Sequence, residues 1–162
     1  MSRLEPAPLT TDDWQSMLDQ YSAQLPPDEQ IDGVSAEEAA IVTTEERLGT
    51  ALPPSYRNFL LTYDGIDAPC DLYRMYPTAE VGWARQSIPD LIEAWAGFDD
   101  VVDLLNRTLL VGDDESNAFY LLDPTVPTGD GEWTAIEWWT TPSEVTEYSS
   151  FGALAAALIK SD

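Results

Sequence analysis

Residues 45–65, EERLGTALPPSYRNFLLTYDG, decide how the chain folds. Gly49 favours the left-handed backbone that ends a helix, and Pro53-Pro54 suits the first turn of the next one, where no partner for the N–H is needed. Apolar side chains then recur at i, i+3, i+4 and i+7, as on one face of a helix: Tyr56, Phe59, Leu60 and Tyr63. With Gly65 as the stop, this stretch predicts two short helices that bury an aromatic face.

The first of these two helices begins upstream of the stretch, and a further helix precedes it. Ser35 and Glu38 have the spacing of a capping box, in which each side chain satisfies a backbone N–H of the first turn. They predict a helix that begins at Ser35 and has an apolar face of Val34, Ile41 and Leu48. Further upstream, Thr11 is predicted to cap a helix that Pro26-Pro27 ends. We therefore divide the chain into a helical lead and linker, residues 1–33, and a main domain, residues 34–160.

After Gly65 the pattern changes from helical to strand-like spacing. Four strands are predicted, at residues 72–76, 108–111, 118–122 and 132–140, of which the second and third form a hairpin around a loop at 112–117. Residues 88–95 are typical of a short helix capped by Ser87, whereas residues 101–105 fit a helix or a strand. Ser149 or Ser150 is predicted to cap a last helix. Helices, then a sheet, then a closing helix predict an α+β domain.

Charge is the extreme feature of the composition. The 162 residues include 30 acids and 7 bases, which gives a formal net charge of −23. Such a chain repels phosphates, so neither nucleic acids nor anionic membranes are expected as partners. Histidine is absent from the sequence, which excludes imidazole bases, Ser-His-Asp triads and His-containing metal sites.

The sequence favours a cytoplasmic location. The single cysteine, Cys70, has no second cysteine for an internal disulfide, which suits a reducing compartment. No run of apolar residues reaches the length of a transmembrane helix, and residues 1–9 do not have the pattern of a signal peptide.

No motif for catalysis or cofactor binding stands out. From Asp113, an EF-hand loop would need glycine at position six and glutamate at position twelve, where the chain has Ala118 and Pro124. Glycine-rich loops that cradle phosphate are absent from the sequence. Close pairs of carboxylates arise by chance among 30 acids. We therefore expect a protein that is not an enzyme and that has no cofactor and no metal.

Two acidic clusters are candidates for partner binding. Asp113, Asp114 and Glu115 are consecutive in the hairpin loop, where Asn, Gly or Ser would make the turn equally well. Carboxylates that repel one another and that the fold does not require are better functional candidates than core residues. Asp99 and Asp100 form the second cluster. The competing interpretation is that these acids only keep the surface soluble.

Trp138 and Trp139 are further candidates. Adjacent residues of a strand point to opposite faces, so at most one of the two faces a one-sided core. The other is covered by another element, lies on the surface or contacts a partner. An exposed tryptophan beside acids would suit an arginine-rich surface.

Three segments resemble the SUKH superfamily, also called Smi1/Knr4-like. Residues 45–65 are similar to its pattern E-x-x-L-G-x-x-L-P-x-x-Y-x-x-F-L-x-x-x-N-G, with Asp64 in place of the usual asparagine. Residues 110–123 resemble its glycine–acid hairpin that ends in Y-x-L-D, and residues 148–154 resemble its closing S-F-x-x-L helix. Residues 1–33 and 78–107 have no counterpart in these motifs.

This resemblance implies a twisted, mostly antiparallel sheet flanked by helices, with no catalytic residues to carry over. Most bacterial members of the superfamily look like immunity proteins that bind a cognate polymorphic toxin, and fungal relatives look like regulatory scaffolds. We therefore expect a non-enzymatic protein that neutralises a toxin, in such systems often a nuclease, by covering its basic surface. A regulatory scaffold without a toxin partner is the alternative.

Overall fold

The helices and strands follow one another in an order close to the predicted one. The computed structural model describes residues 9–28, 33–67 and 74–159. Its elements are α1 (Thr11–Ser22), α2 (Glu38–Leu48), α3 (Pro54–Thr62), β1 (Ile66–Asp67), β2 (Arg74–Met75), β3 (Gly82–Trp83), α4 (Ala84–Ser87), α5 (Pro89–Ala94), α6 (Asp99–Arg107), β4 (Leu109–Asp113), β5 (Ala118–Gly129), β6 (Glu132–Thr140), β7 (Ser143–Tyr148) and α7 (Phe151–Ile159).

The strands form one sheet in the order β1-β2-β4-β5-β6-β7, with β3 also paired to β4. Every strand pair of the described residues is antiparallel. The predicted hairpin is β4–β5, and the predicted third strand is β6. The α+β class with an antiparallel sheet and flanking helices is thus confirmed.

The start of α2 differs from the prediction. The helix begins at Glu38, and its cap, Glu37, makes no side-chain hydrogen bond, so the capping box of Ser35 is wrong. Backbone bonds explain why: the Ala36 N–H donates to the Leu60 carbonyl at 2.9 Å, and the Val34 carbonyl accepts from Asp64 at 2.7 Å. The chain is therefore held along the end of α3 before the helix begins. Val34 is 80% exposed and does not join the apolar face.

A capping box is present instead at α1, one residue before the predicted cap. The Thr10 hydroxyl accepts from the Asp13 N–H at 3.1 Å, and the Asp13 carboxylate accepts from the Thr10 N–H at 3.0 Å. Together they satisfy two of the free donors of the first turn.

Most helix signals within residues 45–65 are confirmed, but α3 ends at Thr62, before the predicted stop at Gly65. Tyr63 has an extended backbone and is half-buried, so its place on the helical face was wrong. Gly49 ends α2 with φ of 78°, and Pro54 opens α3. Gly65 also has a positive φ, of 88°, and a Cβ there would meet the Met75 carbonyl oxygen at 2.8 Å. Glycine is therefore required where the chain leaves α3 and passes against β2.

Three segments show where local patterns were insufficient. Residues 101–105, which fitted either a helix or a strand, lie in α6. Strand β7 was not predicted, because four of its six residues are exposed and its sequence lacks an apolar face. Within the described part of the predicted strand at 72–76, Arg74–Met75 is a strand and Tyr76 is not. Residues 72 and 73, with Cys70, lie outside the described residues.

Four buried rings from three helices form what we call the inner cluster: Trp14, Tyr56, Phe59 and Phe151. Phe151 of α7 lies 4.9 Å from Tyr56 and 5.2 Å from Phe59 between ring centroids. Trp14 of α1 meets Phe59 edge-on at 5.1 Å. The helix predicted as part of a lead thus contributes a ring to the same core as α3 and α7. The division of the chain at residue 33 stays a prediction.

Candidate partner-binding surface

A row of side chains crosses the sheet at the end near the β4–β5 loop. Asp113 pairs with Phe119, Phe119 pairs with Trp138, and Trp138 pairs with Val145. Directly opposite residues of antiparallel strands place their side chains on the same face. The register therefore collects one residue from each of β4, β5, β6 and β7 into a continuous row.

The connection between α5 and α6 covers part of this row. The centroid of the Trp95 ring lies 5.3 Å from that of Trp138, and the centroid of the Phe119 ring lies 5.6 Å from it. Phe98 in turn lies 4.9 Å from Trp95. We call these four residues, Trp95, Phe98, Phe119 and Trp138, the outer cluster.

The outer cluster opens gradually to solvent. Trp138 is fully buried, Trp95 and Phe119 are half-buried, and Phe98 is 59% exposed. Val145 of β7, which pairs with Trp138 of β6, is 46% exposed. Exposed apolar side chains mark interaction surfaces where they form a patch, and Phe98 and Val145 both adjoin the contacting Trp95 and Trp138 rings.

The two predicted tryptophans lie on opposite faces of β6. Trp138 is 0% exposed, so it supports the surface from below and has no area of its own to offer a partner. Trp139 is half-buried and pairs with Ala118 and Glu144 on the other face of the sheet. Partner binding by a tryptophan of this pair stays a prediction for Trp139 alone.

Two of the three loop carboxylates hold the loop together. The Asp114 carboxylate accepts from the N–H groups of Ser116 and Ala118, each at 2.9 Å. Asp113 accepts from the Glu115 N–H at 2.8 Å and from the Tyr76 hydroxyl. The argument that the fold does not require these carboxylates is therefore wrong for Asp113 and Asp114. It still applies to Glu115, whose side chain is exposed.

Tyr76, directly after β2, holds Asp113 in place. Burial raises the pKa of the Tyr76 phenol well above its ordinary value, and the hydrogen bond to Asp113 raises it further. The hydroxyl therefore stays protonated and remains a donor at neutral pH. The Arg74 guanidinium lies 5.0 Å from the centre of the Tyr76 ring. Sequence reasoning missed the hydrogen bond between Tyr76 and Asp113, because the pairing of β2 with β4 cannot be read from the sequence of either strand.

Asp99 and Asp100 lie in the first turn of α6 and are exposed. Carboxylates suit this position because they face the positive end of the helix dipole. They directly follow Phe98, so the structure places this predicted pair at the rim of the outer cluster. Asp113 lies in the same sheet row, whereas Trp139 faces away from it. Sequence reasoning missed Trp95, Phe98, Phe119 and Val145 as members of this surface. The one local signal was GFDD at residues 97–100, where a phenylalanine stands between a glycine and two acids.

Few basic side chains lie on the elements that carry the outer cluster, and Arg74, opposite Asp113 on β2, adjoins the other end of the row. The sequence has no lysine or arginine at residues 86–106 or 108–159. Arg107, between them, pairs with the buried Asp123 at 2.9 Å. Arg57 pairs with Glu38 and Glu45, and Arg47 donates to the carbonyls of Thr78 and Val81 at 2.9 and 2.8 Å. The elements that build the outer cluster therefore carry acids with almost no compensating positive charge.

Buried carboxylates elsewhere serve the fold. The Glu132 carboxylate accepts from the Ser55 N–H at 3.1 Å and from its hydroxyl, at the first turn of α3. The Ser55 carbonyl accepts from the Trp14 indole at 2.8 Å. Across residues 9–28, 33–67 and 74–159 no group of three or more carboxylate or thiol side chains could hold a metal ion.

The architecture, an antiparallel sheet flanked by helices, defines an α+β domain. Within that class, the model of the SMI1 / KNR4 family (SUKH-1) matches residues 35–155, so the chain belongs to this family and the resemblance is confirmed. A comparison with curated proteins gave no significant match. None of the helices in the described ranges has both the length and the apolar character needed to cross a membrane.

Proposed function

We propose that this protein is a non-enzymatic immunity protein, which neutralises a cognate bacterial toxin by binding it and covering a basic surface. Membership of the SMI1 / KNR4 family supports a protein-binding role, because that family is generally non-catalytic and its bacterial members resemble immunity proteins. A cytoplasmic location fits a toxin that acts inside the cell.

The observation that carries the proposal is the acidic surface around the outer cluster. Asp99, Asp100 and Glu115 are exposed, and the elements around them are almost free of basic residues. In a nuclease, the groove that binds substrate phosphates is positively charged. Carboxylates on a rigid surface can occupy such a groove in place of phosphates, and opposite charges speed the encounter of the two proteins.

The test is protection of a bacterial host from candidate toxin domains, taken from the genes that flank this one. This protein and each toxin domain are expressed together and separately, growth is measured, and the purified mixture is analysed for a complex. We expect growth to be restored and a stoichiometric complex to form. The matched control is an unrelated immunity protein of similar acidity, which should not protect.

The outcomes separate occlusion from other mechanisms. Occlusion requires at least as many molecules of this protein as of toxin, whereas a catalytic antidote would protect at much lower amounts. Absence of both a complex and protection would contradict the proposal. Binding of a host regulatory protein instead would favour the scaffold alternative.

A further inference from the structure

We infer that Phe98, Val145 and the acids beside them form the docking surface, and that the occupant is a basic segment of another protein whose arginine packs on the exposed Phe98 ring. This inference deepens the proposed function and rests on it for the identity of the partner. Three observations support it: the exposed apolar area, the negative charge around that area, and the arginine–aromatic contacts within the chain itself.

The apolar part of the surface is exposed although the chain buries comparable rings elsewhere. Phe98 packs on Trp95, and Val145 lies beside Trp138, so both adjoin the same pair of contacting indoles, of which Trp138 is buried and Trp95 half-buried. This support holds the two exposed side chains in place before any partner arrives. Pre-organised apolar groups lose little entropy on binding, which favours a stable contact.

The rim of the surface is acidic on both sides. Asp99 and Asp100 follow Phe98, and Glu147 lies on the same face of β7 as Val145, two residues further along. All three side chains are exposed. A second copy of this chain would bring a net charge of −23 against the same acids, so self-association on this surface is disfavoured. The occupant that fits the charge is positive.

Arginine fits this surface better than lysine. Its planar guanidinium can stack on an aromatic ring while it pairs with a carboxylate, whereas the lysine ammonium is a compact, strongly hydrated charge. The chain contains such an arrangement internally: Arg74 lies over the Tyr76 ring and forms an ion pair with Glu80 at 4.0 Å. Arg85 lies 5.1 Å from the centre of the Trp83 ring, which is a second arginine–aromatic contact. At Phe98 and Asp99 the ring and the carboxylate are present and the described chain supplies no arginine.

The experiment uses the full chain and two synthetic peptides that carry arginine or lysine at the same positions. Affinity is measured by calorimetry, and the contact is mapped by NMR shift changes. The wild type should bind the arginine peptide more tightly. Phe98→Ala should lower its affinity for the arginine peptide about fivefold and change the lysine peptide much less.

The charge arm uses the double variant Asp99→Asn, Asp100→Asn. This variant should bind both peptides with lower affinity, and its affinity should depend less on salt concentration. The matched controls are Val42→Ala, an exposed valine on α2, and the exposed pair Glu37→Gln, Glu46→Gln, which should leave the arginine preference unchanged. Thermal melts confirm that each variant is folded.

Equal binding of the arginine peptide by wild type and Phe98→Ala, or shift changes confined to other elements, would overturn the inference. The same variants, tested against the toxin domain of the protection experiment, separate the two proposals. If the toxin binds and neither variant weakens it, the surface is wrong and the immunity role stands. If the arginine peptide maps to the surface but the toxin does not bind, the immunity role fails and the surface stands.

Discussion

The inner and outer clusters each contain four aromatic rings, yet they end in opposite environments. In the inner cluster all four rings are at most 1% exposed, enclosed by α1, α3 and α7. In the outer cluster only Trp138 is fully buried, and Phe98 faces solvent beside Asp99 and Asp100. The first arrangement serves stability. The second leaves apolar area available to a partner.

The difference arises from what covers each cluster. Whole helices pack over the inner rings and exclude water from every side. In the outer cluster, Trp138 is covered by Trp95 from the short connection of residues 95–98 between α5 and α6. A segment this short can shield Trp138 but has no further turn to cover Phe98.

Removal of one ring from each cluster should give the largest contrast. Phe59→Ala should lower the free energy of unfolding by about 3–5 kcal/mol, through lost burial and the cavity left behind. Phe98→Ala should cost less than about 1 kcal/mol, because most of its ring is already in water. Urea unfolding measures both. Equal losses would mean that the outer cluster is core as well.

The carboxylate that ties the inner cluster to the sheet should have the next largest effect. Glu132→Ala leaves the Ser55 N–H without its acceptor in a buried position and should cost about 2–3 kcal/mol. Glu137→Ala, on the same strand but half-buried, is the matched control and should cost less than about 1 kcal/mol. A loss at Glu132 no greater than at Glu137 would show that the α3 end does not depend on this contact.

Alkaline pH should weaken the inner cluster through Tyr56. Burial raises the pKa of this phenol far above its ordinary value, and the charge of Asp64 adds to the effect. The folded state keeps the proton while the unfolded chain loses it near pH 10, so stability is complete below about pH 10 and falls by about 1.4 kcal/mol per unit above it.

Tyr56→Phe should abolish this part of the alkaline loss. At neutral pH the variant should be as stable as the wild type or more so, because the hydroxyl has no hydrogen-bond partner within the described residues. Unfolding by urea at pH values on both sides of 10 gives the comparison. An identical pH dependence for the two proteins would contradict the assignment.

The loop beside the outer cluster should respond at one acid and not at its neighbour. Asp114→Ala removes an acceptor for two backbone N–H groups and should cost about 1 kcal/mol. Glu115→Ala should change the free energy of unfolding by less than about 0.5 kcal/mol. If affinity for the toxin falls only with Glu115→Ala, the loop takes part in binding.

Salt should have the smallest effect on stability. Mutual repulsion among the acids is screened between about 10 and 300 mM NaCl, so the melting temperature should rise by a few degrees. The variant Asp99→Asn, Asp100→Asn should show a smaller rise. A melting temperature that does not rise at all would mean that the acids are already separated or paired.

The sequence determined those parts of the protein that depend on neighbours along the chain. Gly49 and Pro54 set the ends of α2 and α3 because glycine and proline restrict the backbone locally. The apolar period placed Tyr56, Phe59 and Leu60 in the core, and the motif at residues 45–65 pointed to the family. The excess of acids pointed to a positively charged partner.

Only the tertiary structure decided which of the candidate residues share a surface. The start of α2 depends on hydrogen bonds between residues 34–36 and the end of α3. The role of Asp113 depends on Tyr76, which follows β2 and is distant in sequence. Strand register aligned Phe119, Trp138 and Val145, and the α5–α6 connection brought Trp95 and Phe98 against them. Strand pairing and helix packing join residues that are distant in sequence, so no local pattern carries the information that places them together.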